Sequence, residues 1–190
     1  MTAVQPLHAP QPVRLTVEDF ALLHESGSLD RVPRAELIEG IICTMNPQLS
    51  RHAAAKSRLA YRLTRAFESL GLPMEAVVEV SVALPPHNVP QPDIVVTIVP
   101  EDNAYVPGDA AAIVVEISET TAAFDLGKKA RIYAAHALPE YWVVELPKAR
   151  IHQFWSPSGT SYRERRIVPF GAPLASTTIP DLVVPTEGLI

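Results

Sequence analysis

Two acids and a lysine in this chain stand on three consecutive segments that could aim them at one point. Asp93 follows Pro92 and opens an apolar run, Ile94-Val95-Val96-Thr97-Ile98-Val99. Glu116 interrupts a second run, Ala112-Ile113-Val114-Val115-Glu116-Ile117-Ser118. Lys129 falls in the segment that follows. Two carboxylates able to hold a divalent cation, with a lysine at hand, are the minimum equipment for metal-assisted hydrolysis of a phosphodiester. The bland alternative is a snorkelling Lys129 with Glu116 as its plain ion-pair partner. Acids and lysines placed inside a core tend to mark function, which favours the chemical reading.

The elements that must position these groups follow from periodicity. In a strand, Val114, Glu116 and Ser118 share one face, and Ile113, Val115 and Ile117 the other. Both faces are largely apolar, so the strand is covered on both sides, as in an α/β sheet. An ionised Glu there costs several kcal/mol unless it is paired or bound to a cation. From about Thr121 to His136 the spacing predicts a helix with the stripe Ala122, Leu126, Ala130, Tyr133 and Ala137. Lys129 falls inside that stripe, while Lys128 and Arg131 fall outside it. The helix therefore turns Lys129 toward the sheet, and Asp125, one turn earlier, can pair with it.

Pro92-Asp93, then Val114-Val115-Glu116-Ile117-Ser118, then Asp125-x-x-x-Lys129-x-x-x-Tyr133, then Pro139-Glu140-Tyr141-Trp142-Val143-Val144 form an ordered set. That set resembles the Uma-type family of restriction endonucleases, within the PD-(D/E)XK nuclease superfamily. Glu36-Leu37-Ile38-Glu39-Gly40 and Ser50-Arg51-His52 resemble the same family's N-terminal signature. Each piece is weak alone, and the ordered set is fairly specific. One departure stands out: the superfamily's lysine two residues after the second acid is replaced here by Ser118. In the family resembled, the lysine sits on the following helix, which fits Lys129.

The resemblance implies an α/β restriction-endonuclease-like core, a mixed central β-sheet flanked by helices, with a C-terminal β-hairpin. It implies Mg²⁺, with Mn²⁺ as a substitute, held by Asp93, Glu116 and the main-chain carbonyl of Ile117. Lys129 would orient the attacking water or stabilise the transition state, and Ser118 would hydrogen-bond a water or Lys129. Glu36 is the first choice for an N-terminal acid completing the metal site, with Glu39 flanking the same turn. His52, Asp125 and Tyr133 are accessory candidates. DNA is the implied partner, and double-strand cutting implies a homodimer. Trp142, Phe154 and Trp155 are candidate interface aromatics, unless they complete the core. The alternative function is a nuclease-fold protein that has lost cleavage and binds DNA or assembles.

Composition bounds these readings. With 190 residues, 47% of them hydrophobic, the chain can bury one real core. Residues 14–190 are expected to form a single domain after a Pro-rich, disordered segment at 1–13. No apolar run approaches the roughly 20 residues that span a membrane. Residues Met1 to Val13 lack the pattern of a secretory signal. A lone cysteine, Cys43, fits a reducing cytoplasm and reads as a small apolar strand residue. The net charge of −5 argues against strong sequence-independent DNA affinity. A basic stripe of Lys56, Arg58, Arg62 and Arg65 on one helix reads more simply as a solvated face, and Arg163, Arg165 and Arg166 cluster near the end.

The remaining elements are read from caps and alternation. Thr16 caps a first helix that buries Phe20, Leu22 and Leu23. Glu36 to Met45 is a strand broken by a turn at Gly40. Ser50 caps a long helix to Leu70, with Leu59, Leu63, Phe67 and Leu70 inward, stopped by Gly71 and Pro73. Val77 to Leu84 alternates as one strand. Residues 100–111 are a polar loop. Tyr141 to Leu146 and Ile151 to Trp155 form a hairpin, and Tyr162 to Val168 adds a strand.

Overall fold

The computed structural model describes residues 12–45, 47–99, 101 and 104–190. The expectation of disorder at 1–13 therefore lies almost wholly outside the described residues. Helix α1 (Val17–Glu25) starts at a reciprocal capping box between Thr16 and Asp19. Strands β1 (Ala35–Ile38) and β2 (Ile41–Thr44) form a hairpin whose turn, Glu39 and Gly40, takes positive φ at both residues. Helix α2 (Ser50–Leu70) ends at Gly71 in the left-handed conformation. Then come β3 (Glu75–Val78), β4 (Val82–Ala83), β5 (Ile94–Thr97), β6 (Val106–Pro107) and β7 (Ile113–Ser118). A helical stretch follows as α3 (Ala122–Phe124), a π-helical turn at Asp125–Lys129, and α4 (Ala130–Ala135). Strands β8 (Glu140–Glu145), β9 (Arg150–Ser158), β10 (Ser161–Pro169), β11 (Leu174–Ala175) and β12 (Val183–Val184) complete the chain.

The central sheet has six strands in the order β10-β9-β8-β7-β5-β3. Only the β7–β8 pair in it is parallel, joined by the helical crossover that carries Lys129. The sheet is thus mixed α/β, as expected, and β8, β9 and β10 supply the hairpins near the C-terminus. One face packs Ile113, Val115 and Ile117 against Leu59, Leu63 and Phe67 of α2. The other packs Val114, Val143 and Tyr141 against Ala130 and Tyr133. All six residues of β7 are buried, so Glu116 sits within a two-sided core. Among the described residues no helix is long and apolar enough to cross a membrane.

Several local expectations are corrected. Leu22 is exposed and Leu23 half-buried, so Val17 and Phe20 carry the buried face of α1. The cap of α2 is Leu49, with no side-chain bond, and Ser50 is the first helical residue. The preceding Gln48 donates its side-chain amide to Asp93. The expected strand over Val77 to Leu84 breaks at Glu79, whose φ is +53 and whose side chain turns to Lys56. Trp142 is not an interface aromatic: it is fully buried and donates its indole N–H to Glu140. Leu126 is only half-buried and Ala137 is exposed. Ala130 and Tyr133 of the expected stripe are buried, as is Lys129, and Asp125, Ile132 and Ala134 join them.

Candidate active site

Lys129 is the centre of the buried polar cluster. Its Nζ lies 2.8 Å from Glu116 Oε1 and 3.2 Å from Glu36 Oε1. The Tyr133 hydroxyl donates to the same Glu116 oxygen at 2.9 Å. β7 presents Glu116, β1 presents Glu36, and the π-turn presents Lys129. The Phe124 ring lies under the ammonium, 5.9 Å from centroid to Nζ. Glu36 Oε2 is buried and, among the described residues, has no hydrogen-bond partner.

Charge in this trio does not balance when both glutamates are ionised. Burial raises the Glu116 carboxyl well above its ordinary range, and nearby Asp125, Asp93 and Glu36 reinforce this against the pull of Lys129. Burial raises Glu36 as well, again opposed by Lys129. Burial alone would lower Lys129, but the facing Glu116 and Glu36 charges prevail and raise it. Lys129 therefore stays charged and neutralises one glutamate. Protonation of the other, or arrival of a cation, removes the excess negative charge.

Asp93 forms the second half of the site and is handled differently. His52 Nε2 and Gln48 Nε2 each stand 2.8 Å from Oδ1, and the Ile117 N–H donates to Oδ2 at 2.8 Å. Burial would raise this carboxyl, but the hydrogen bond and charge of His52, then the Ile117 amide and Lys56, hold it below its ordinary value. The Asp93 carboxyl is thus held low, whereas that of Glu116 is raised. Both line one cleft of about 370 Å³, together with Glu36, His52, Ile117 and Lys129.

The other candidates divide. Asp125 is buried, yet it accepts from the hydroxyls of Ser118 and Thr121 rather than pairing with Lys129. Ser118 correspondingly binds Asp125 and not Lys129, because the ammonium is already taken by two glutamates. Burial raises the Asp125 carboxyl too. Glu39 lies away from the cleft, exposed in its turn and 3.0 Å from Lys128. Gln48 and Lys56 were missed by the sequence reading as members of this site. Lys56 donates to Gln48 at 2.5 Å and to Glu79 at 2.7 Å. Its signal was legible: Lys56 follows His52 by four residues, so one face of α2 presents both.

The basic stripe on α2 dissolves in the structure. Lys56 is buried in the cluster just described. Arg58 donates to the Leu189 carbonyl, and Arg62 to the Pro185 and Glu187 carbonyls. Arg65 is exposed, 3.9 Å from Glu68. Arg58 and Arg62 hold down the C-terminal segment.

A hard divalent cation takes oxygen ligands, and Mg²⁺ is commonly bound through one or two carboxylates with waters filling the rest of its shell. The unpartnered Glu36 oxygen and the excess negative charge beside Glu116 fit such an ion. Among the described residues no three His, Cys, Asp or Glu side chains are preassembled as a metal cage.

Comparison with known proteins places this geometry in context. The Uma2 family, described as "Putative restriction endonuclease", matches residues 17–187. A crystal structure of "a putative nuclease" from Anabaena variabilis superposes with a TM-score of 0.68 at 16% identity, covering 92% of this chain and 97% of its own. At that identity the likeness is one of fold. No curated protein matches.

Proposed function

The chain belongs to the Uma2 family, and from that premise we propose that its cleft is the active site of a Mg²⁺-dependent endodeoxyribonuclease, with Mn²⁺ as a substitute. One observation carries the reading: a buried lysine bridges two under-neutralised carboxylates on the floor of a cleft whose wall holds a third carboxylate ionised. Asp93, Glu116 and the Ile117 carbonyl would hold the cation, with Glu36 completing the set. When bound, such a cation lowers the pKa of a water and offsets charge on the phosphoryl oxygens.

The chain's own groups do the positioning. His52 and the Ile117 amide fix the Asp93 carboxylate from two sides. Tyr133 fixes Glu116. Lys129 is a preorganised cation whose donors would reach the attacking water or the developing charge without reorganisation. Its placement on the crossover helix replaces the lysine that Ser118 displaces. Double-strand cutting would require two such sites, which supports a two-fold homodimer; with Trp142 buried, Phe154 and Trp155 remain the interface candidates. The reducing cytoplasm is the proposed compartment, resting on the lone Cys43.

Plasmid nicking tests the reading. Cleavage should appear with Mg²⁺ or Mn²⁺, vanish with EDTA, and be abolished in Asp93→Ala. Lys129→Ala should keep Mn²⁺ binding and lose rate. Equal nicking by wild type and Asp93→Ala would identify a contaminant. A second reading, a DNA-binding or assembly module without cleavage, draws support from Asp93, whose two oxygens are both already engaged by the protein. It expects DNA retention with no metal-stimulated cutting.

A further inference from the structure

Of the cationic side chains that line the cleft, one is underused. Lys129 already spends two of its three N–H donors on Glu116 and Glu36. Arg34 also lines the cleft. Its Nε is buried and, among the described residues, has no hydrogen-bond partner. Its Nη2 stands 3.9 Å from both Glu79 and Asp93. Those separations lie beyond N–H···O bonding range, so the guanidinium feels both charges without donating to either. Among the described residues Asp93 and Glu79 already have closer donors, His52 and Lys56 respectively. Arg34 is therefore dispensable as their partner.

Its backbone is also held at a cost. Arg34 has φ +48, a conformation unfavourable for a side chain with a Cβ. The position is fixed from both sides: the Met45 N–H donates to its carbonyl, and the next residue starts β1, which carries Glu36. The same short segment thus delivers an acid to the cleft floor and the terminal nitrogens of a guanidinium to the cleft wall.

We propose that Arg34 binds a non-bridging oxygen pair of a DNA phosphate entering the cleft, and is the substrate-phosphate receptor of this site. A planar guanidinium matches a phosphate in bidentate fashion, which a lysine does not. This rests on the nuclease reading for the identity of the phosphate, but not for the binding itself. It also supplies a cation on the cleft wall that, among the described residues, no carboxylate holds within hydrogen-bonding distance.

The test separates binding from cleavage. Anisotropy of a short fluorescein-labelled DNA duplex is followed with Ca²⁺ in place of Mg²⁺, across a salt series. Arg34→Ala should weaken binding by about tenfold to a hundredfold, the range of a charge-assisted hydrogen bond. The slope of log affinity against log salt should fall by about 0.9, one phosphate contact. A merely structural role would leave that slope unchanged. Arg34→Lys should restore the slope but not the full affinity, and added guanidinium should partly rescue Arg34→Ala. Folding of both variants is checked by thermal melting. Unchanged affinity and slope in a folded Arg34→Ala protein overturns the proposal. A loss of binding in a protein that never cleaves DNA upholds Arg34 while sinking the nuclease reading.

Discussion

Glu116 and Glu140 stand on adjacent parallel strands and are equally hidden from water, yet they live under opposite regimes. Glu140 accepts from six donors: Trp142 and Gln153 on one oxygen, and on the other the Ser176 hydroxyl, the Thr177 and Thr178 amides and the Thr178 hydroxyl. Burial would raise its carboxyl, but these neutral donors hold it below its ordinary value. Among the described residues Glu116 accepts from Lys129 and Tyr133 only, both on one oxygen, and its carboxyl is raised. Burial of an acid therefore does not mark a site. Saturation marks a structural clamp, here one that pins the segment after β10; under-saturation beside other acids marks a place where a cation or proton is wanted.

The sharpest way to break this contrast is a pair of isosteric substitutions. Glu116→Gln should cost cleavage on the order of a hundredfold to a thousandfold or more. Its stability should stay within about 1 kcal/mol of wild type, because an excess buried charge is removed. Glu140→Gln should do the reverse, destabilising the protein while sparing turnover. If Glu140→Gln abolishes cleavage in a folded protein, the distinction fails. Plasmid nicking and urea denaturation read both arms.

Removing the shared cation should be nearly as severe for the fold. Lys129→Met leaves Glu116 and Glu36 facing each other in the core, at roughly 3–5 kcal/mol. That loss should shrink as pH is lowered and the glutamates protonate. A pH-independent loss would mean that packing, not charge, is what Lys129 supplies. Glu140→Ala strands several donors and should cost roughly 3 kcal/mol, with early hydrogen exchange confined to the region of β11 and β12.

The two regimes also titrate in opposite directions. Glu116 and Glu36 have folded-state values raised above their unfolded ones. Their stability contribution is present in acid and is lost as pH rises through the folded values. Glu145 behaves conversely: burial would raise it, but hydrogen bonds from His152, Lys148 and Arg150 hold it at about 2. Its contribution is present above its ordinary value of 4.5 and is lost as pH falls toward 2. Urea melts across pH should show Glu116→Gln flattening the alkaline-going loss and Glu145→Gln flattening the acid limb. The smallest expected effect is at Arg62→Ala, about 0.5–1.5 kcal/mol from two lost bonds to C-terminal carbonyls, with DNA affinity unchanged. A drop in DNA affinity there would restore the basic stripe as a binding surface.

Alternation and helical spacing determined much of this in advance. The period of two through Val114, Glu116 and Ser118 put Glu116 on one face of a doubly covered strand. The placement of Lys129 between Leu126 and Tyr133 turned it to that face. Both hold because periodicity is a local property of the backbone. What spacing could not determine was how each group is satisfied once inside. Leu126 and Ala137 of the expected stripe were left half-buried and exposed, and Asp125 went to Ser118 and Thr121 instead of Lys129. Glu79 broke a strand whose alternation was regular, because a tertiary ion pair with Lys56 outweighed local propensity. Lys56, Arg58 and Arg62 share a helix and a charge, yet one enters the cleft and two bind the chain's own C-terminal carbonyls. Glu116 and Glu140 are the same residue on neighbouring, fully buried strands. Only the segments that fold back over each, a lysine-bearing helix or a row of hydroxyls and amides, decide which is a clamp and which is left short of partners, since saturation depends on donors far away in the chain.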